Sequence, residues 1–262
     1  MKFAKLALLV ALCWATRSPS AEPPAANSSL EAAVARRKVA PGAFEQRTYQ
    51  GADGAELHYR WLPPVKLDEG KKYPLVLCLH GAGGNSVAPA VLADPKMREK
   101  YPCFILYPDA KGEGWASTPH LPRLKDRKET LPLVVETIRA LLKSEAIDPA
   151  RIYVTGQSMG GVGSWGAAAR YSDLFAAAVP VCGAWDVADA SKMTIPIWAF
   201  HGEEDATVPV KFSRELTEAV TKSGGTAKYT EFAGVGHGSW GPAYAEPELW
   251  AWLFQQRKPP AP

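Results

Sequence analysis

The sequence is poor in cysteine, with four in 262 residues, and none of them forms a C-x-x-C pair. That excludes the usual zinc ribbon and the thioredoxin-type redox site. It also lacks a charge bias. Lys2, Lys5 and Arg17 account for the formal charge of +3, and the remaining chain carries 27 basic against 27 acidic residues. A balanced body offers no basic footprint for nucleic acid and no charge-driven membrane affinity. The longest apolar stretch near the N-terminus, Leu6–Ala15, is too short to span a bilayer, so no integral membrane segment is expected. There is no internal repeat and no long low-complexity segment.

What the chain does have is an apolar fraction of 47%, ordinary for a globular protein and enough for a sizeable core. Residues 1–21 read as a secretory signal, with Lys2 and Lys5 before the apolar stretch and small residues at Ala15 and Ala21. Leu12 before Cys13 is bulkier than a lipid-attachment site prefers, which argues against an anchor there. Residues 22–43, rich in Ala, Pro and Ser, read as a linker with a short helix near Leu30–Lys38. One catalytic domain is expected over 44–257, followed by a flexible tail over 258–262. The odd count Cys78, Cys103 and Cys182 cannot fully pair, and their apolar surroundings favour buried free thiols.

The coarse pattern is α/β. An early hairpin turns at Asp53-Gly54, with antiparallel edge strands on either side. Continuously apolar runs at Tyr73–Leu79, Cys103–Tyr107, Ala176–Cys182 and Ile195–Phe200 read as strands buried on both faces. The β-branched run Arg151–Thr155 and the segment Ala227–Phe232 add two more. Helices are expected around Met97–Lys100, over Leu131–Ser144, after residue 161, over Val210–Lys222 and over Pro247–Gln256. Strands alternating with helices imply a mostly parallel twisted sheet covered on both faces.

One stretch carries the chemistry. Gly156-Gln157-Ser158-Met159-Gly160-Gly161 follows a strand and precedes a small-residue helix, the setting of a nucleophile elbow. Ser158 is the candidate nucleophile. Alone it is weak and needs a base that titrates near neutrality. Among five histidines, His237 sits between two glycines in a late loop and is the candidate base. His80 and His201 each begin an HG step after a buried strand and read as loop buttresses. His58 lies in an early strand and His120 in a polar loop. Asp205 is the candidate acid, with Asp186 as the alternative. Backbone N–H groups of Met159 and of the glycine-rich loop His80–Gly84, Ala82 first, are candidate oxyanion donors.

These motifs resemble the α/β-hydrolase superfamily: Leu79-His80-Gly81-Ala82-Gly83-Gly84, the elbow, His201-Gly202-Glu203-Glu204-Asp205 and Gly236-His237-Gly238. Within it they are similar to secreted carboxylesterases of the phospholipase/carboxylesterase, feruloyl esterase and polyhydroxybutyrate depolymerase group, and to prolyl-oligopeptidase-like hydrolases. The resemblance implies a serine hydrolase that works through an acyl-enzyme, with no metal and no cofactor. It implies an ester substrate, either a small molecule or a plant polymer or polyester. Only Ala184–Thr194 separates two strands where relatives carry a cap, too short for a folded lid. Trp115, Trp185 and Trp240 fall in loops at the expected active end, where each either walls the site or packs on the body. A prolyl-oligopeptidase-like peptidase and a non-catalytic carbohydrate- or polymer-binding module are the rival readings. The oligomeric state and the identity of the acyl group are not legible.

Overall fold

The computed structural model describes residues 44–259; the expected signal and linker, with Cys13, lie outside them. Eight strands form one sheet: β1 (Glu45–Gln50), β2 (Glu56–Leu62), β3 (Tyr73–Leu79), β4 (Phe104–Pro108), β5 (Ile147–Gln157), β6 (Ala177–Val181), β7 (Ile197–Gly202) and β8 (Ala227–Phe232). Their spatial order is β1-β2-β4-β3-β5-β6-β7-β8. β1, β2 and β4 pair antiparallel, and every pairing from β4 onward is parallel. β2 is therefore not an edge strand, as the hairpin pattern suggested. Its face alternates exposed and buried residues, yet both its edges are hydrogen-bonded.

Alternation along the central strands sends side chains to opposite faces. Leu75, Leu77, Leu79, Ile152 and Val154 join the core under three helices: α3 (Leu131–Ser144), α4 (Met159–Arg170) and α5 (Lys211–Lys222). Val76, Cys78, Tyr153, Val179 and Phe200 face the other core. That core is closed by α1 (Ala88–Leu92), α2 (Pro95–Lys100), α6 (Trp240–Ala245) and α7 (Leu249–Gln255). The helix α3 shows why it forms where it does. Leu131, Val134, Val135, Ile138 and Leu141 recur at helical spacing and are all buried. Each such side chain contributes roughly 2 kcal/mol by leaving water.

Three short elements were not legible in the sequence. These are α1, α6 and a 3₁₀ turn at Val187–Lys192. The turn lies in the short connection between β6 and β7. Asp186 starts it, its side chain accepting the Ala188 N–H at 2.9 Å. Cys78, Cys103 and Cys182 are buried free thiols. Among the described residues no helix is long and apolar enough to cross a membrane.

Candidate active site

β5 ends in a sharp corner. Ser158 takes φ 54° and ψ −117°, a conformation that strains any residue with a side chain. The corner closes because three glycines stand where backbones touch. A Cβ on Gly160 would lie 2.2 Å from the Leu79 carbonyl oxygen, and one on Gly156 would lie 2.5 Å from that of Gly160. One on Gly161 would meet the Val181 oxygen at 2.3 Å. The G-x-S-x-G spacing is thus a packing requirement. It leaves Ser158 half-buried at the N-terminus of α4, beyond the carboxyl end of a central strand.

The C-terminal loop brings the imidazole to the same corner. A Cβ on Gly202 would lie 2.3 Å from the carbonyl oxygens of both Val235 and Gly236, so its absence lets the loop close against the end of β7. Glu204 N–H donates to the Val235 oxygen at 2.9 Å, and the Glu203 carboxylate accepts Gly234 N–H at 3.0 Å. His237 then stands with Nε2 at 2.9 Å from Ser158 Oγ and Nδ1 at 2.7 Å from Asp205 Oδ2. Asp205 Oδ1 accepts the N–H groups of Thr207 and Val208, both at 2.8 Å. Burial pushes the Asp205 pKa up, but hydrogen bonds from His201, His237 and the Val208 N–H outweigh it. The group is held well below the ordinary carboxylate range.

Asp186, the alternative acid, lies elsewhere. It caps the 3₁₀ turn and sits 3.9 Å from His120 Nε2, outside hydrogen-bond range. His58 hydrogen-bonds Thr48 in the hairpin.

The His80–Gly84 loop lies against the nucleophile, since a Cβ on Gly81 would be 3.8 Å from Ser158 Cβ. Its shape is over-determined. Ala110 N–H donates to His80 Nε2 at 3.1 Å, so the ring proton is on Nδ1, which donates to the Gly81 oxygen at 2.7 Å. Burial lowers the His80 pKa, keeping it neutral. Tyr107 Oη donates to the Gly84 oxygen at 2.8 Å. Gly81 N–H is spent on the Asn85 oxygen at 3.1 Å, which leaves Ala82 ahead of Gly81 as a candidate donor to an oxyanion.

Two of the three tryptophans do not wall the site. Trp115 has no exposed surface. Its Nε1 donates to the His80 oxygen at 2.8 Å and its Cβ packs where a Gly163 side chain would go. It is a strut under the loop. Trp185 is buried against Gly166, with Nε1 on Asp189 at 2.9 Å. Loop tryptophans bury their large apolar area when a glycine-rich helix leaves room, and α4 does so for both. Trp240 is half-buried, with its ring edge-on to His237 at 5.4 Å between centroids.

Among the described residues, Cys182, Asp205 and His237 place ligand-type atoms within 4.8 Å of one another. The set fits an ion poorly. The His237–Asp205 hydrogen bond would have to give up its proton, and burial pushes the Cys182 thiol up to about 12.

The sequence profile of the dienelactone hydrolase family matches residues 89–244, more than half of the chain. The chain belongs to the dienelactone hydrolase family. Its fold is that of an α/β-hydrolase, and solved structures of that fold include both an esterase and peptidases. A thermostable esterase of known structure is 36% identical and superposes with a TM-score of 0.75 over 82% of this chain and 64% of its own. Poly(3-hydroxyalkanoate) depolymerase C of Paucimonas lemoignei is 27% identical over 117 residues, 42% of this chain and 28% of the depolymerase. NocK of Nocardia uniformis subsp. tsuyamanensis, named as a presumed esterase, is 28% identical over 230 residues, 78% of this chain and 63% of NocK. The chain therefore spans less than two thirds of each of these relatives.

Proposed function

We propose that the protein is a serine carboxylesterase acting on carboxylic esters through an acyl-enzyme. The observation that carries the reading is the unbroken line from Ser158 Oγ through His237 to the buried Asp205 carboxylate, at 2.9 and 2.7 Å. His237 Nε2 takes the hydroxyl proton as Ser158 attacks the ester carbonyl. Asp205 holds the ring proton on Nδ1 and stabilises the imidazolium. Negative charge on the carbonyl oxygen is met by the Met159 and Ala82 N–H groups, aided by the positive end of α4. His237 protonates the alcohol as it leaves. A water then gives its proton to Nε2 and its oxygen to the acyl carbon, and Ser158 is regenerated with release of the acid.

The short Val187–Lys192 turn in place of a cap supports an open site. With the depolymerase and esterase relatives, that favours bulky or polymeric acyl donors, including hydroxycinnamoyl, acetylated-sugar and polyester substrates. Trp240, beside His237, is the aromatic surface in position to meet them. Residues 1–21 support export.

The test is hydrolysis of a chromogenic short-chain ester by the mature protein and by Ser158→Ala. A loss of about 10⁶-fold is expected, and residual activity within about a hundredfold of wild type would refute the assignment of Ser158. Aminoacyl-proline amides assayed beside the esters distinguish an esterase from a peptidase. Amide turnover rivalling ester turnover would refute the esterase reading.

A further inference from the structure

The Asp205 carboxylate has a second histidine partner, and it stands on neither the nucleophile elbow nor the His237 loop. His201, at the end of β7, has no exposed surface. Its Nε2 lies 2.9 Å from the Val208 carbonyl oxygen and 3.2 Å from Asp205 Oδ2, both acceptors, so Nε2 carries a proton. Its Nδ1 lies 2.7 Å from Ser213 Oγ on α5. Ser213 Oγ also lies 3.5 Å from the Gly183 carbonyl oxygen, so this hydroxyl ties the ring to the strand end beside it. A buried residue with both ring nitrogens engaged has one orientation available to it.

We propose that His201, set by Ser213, is a positioning residue for catalysis, holding Asp205 in the rotamer and charge state that His237 requires. Oδ2 sits between two imidazoles, while Oδ1 is gripped by two backbone N–H groups. The carboxylate can then neither rotate away from His237 nor draw the His237 proton fully to itself. The HG step of β7 is therefore tied to the reaction, beyond shaping a loop. This inference rests on the reading of Ser158, Asp205 and His237 as the reacting set.

Other charges near this cluster are accounted for. Glu231 on β8 is the register partner of His201. It is ion-paired to Arg214 of α5 and accepts the Tyr229 hydroxyl at 2.7 Å. The Cys182 thiol faces Asp205 from just beyond β6, and burial raises its pKa. Glu203 and Glu204 on the same loop as Asp205 are exposed.

The experiment is the kcat/KM–pH profile of ester hydrolysis for wild type, His201→Phe, His201→Gln and Ser213→Ala, each counted by fluorophosphonate labelling. Without the His201 donor, the carboxylate attracts the His237 proton more strongly. For His201→Phe the acid limb should move up by about half a pH unit. Its plateau should fall about tenfold to a hundredfold, the equivalent of one hydrogen bond to a charged group. Glutamine keeps an N–H donor near the Nε2 position and should restore most of both. Ser213→Ala removes one oxygen and should shift the limb in the same direction, but less. An acid limb at the wild-type pH in His201→Phe overturns the proposal. If that variant does not fold, an unmoved limb in Ser213→Ala overturns it instead. Ester turnover by Ser158→Ala would signal the separate failure of the underlying reading.

Discussion

Replacing Asp205 with asparagine removes one charge and almost no volume. The carboxylate accepts at four points: Thr207 N–H and Val208 N–H on one oxygen, His237 Nδ1 and His201 Nε2 on the other. An amide has a single oxygen for these four donors. Turned toward His237, that oxygen would leave two buried backbone N–H groups facing an NH₂, at about 1–3 kcal/mol for each unmet donor. The alternative sets the oxygen on the two backbone groups and the NH₂ against His237. The His237 ring must then accept at Nδ1 and carry its proton on Nε2, where Ser158 Oγ lies 2.9 Å away. A protonated Nε2 cannot take the serine proton. The expected loss in kcat is about 10⁴-fold, or roughly 5 kcal/mol at 1.36 kcal/mol per decade. The assay is chromogenic ester hydrolysis at pH 7.5 on folded, fluorophosphonate-counted enzyme, with Asp186→Asn as the comparison. Asp186 caps a turn and asparagine keeps the capping oxygen, so its variant should lose little stability and no activity. Asp205→Asn within tenfold of wild type, or Asp186→Asn as damaged as Asp205→Asn, would refute the assignment.

Other perturbations separate packing from chemistry. Gly160→Ala puts a methyl 2.2 Å from the Leu79 oxygen and 3.0 Å from that of His80, both backbone atoms, and should cost at least about 3 kcal/mol in urea unfolding. Trp115→Phe removes the Nε1 donor to His80 and should lower stability by about 1–2 kcal/mol; a raised KM at unchanged stability would contradict its role as a strut. Trp240→Ala should raise KM for aromatic acyl esters more than for acetyl esters, and equal effects on both would remove it from the acyl site. The Glu231 carboxyl is lowered to about 2, chiefly by its hydrogen bonds from Arg214 and against partial burial. A depressed carboxyl stabilises the fold above its unfolded pKa near 4.5 and loses that contribution as pH falls toward 2. With Arg214 half-exposed, solvent screening leaves about 1 kcal/mol. Glu231→Gln should be less stable than wild type by that amount at pH 7, and the gap should close in acid. A constant gap from pH 7 to 2 would show that the ion pair is not its source.

The mostly parallel sheet and the three candidate side chains at its corner could be read from local patterns, but the spatial order of the strands, with β2 inside the sheet, could not. Short, continuously apolar runs bounded by turn residues fit strands covered on both faces. A serine between glycines, after a strand and before a helix, has few structural uses other than an elbow. What local pattern could not give was the direction in which large side chains point. Trp115 and Trp185 look like Trp240 in the sequence, but the room left by Gly163 and Gly166 on α4 draws the first two inward. The same holds for His201. In the chain it is a histidine before a glycine, and only the packing of α5 on β7 sets Ser213 against one ring nitrogen and Asp205 near the other. Periodicity and turn chemistry are properties of neighbours in sequence and so determined the fold. Contacts between residues 79 positions apart, such as Ser158 and His237, depend on how glycines let backbones approach, and that was decided only by the folded chain.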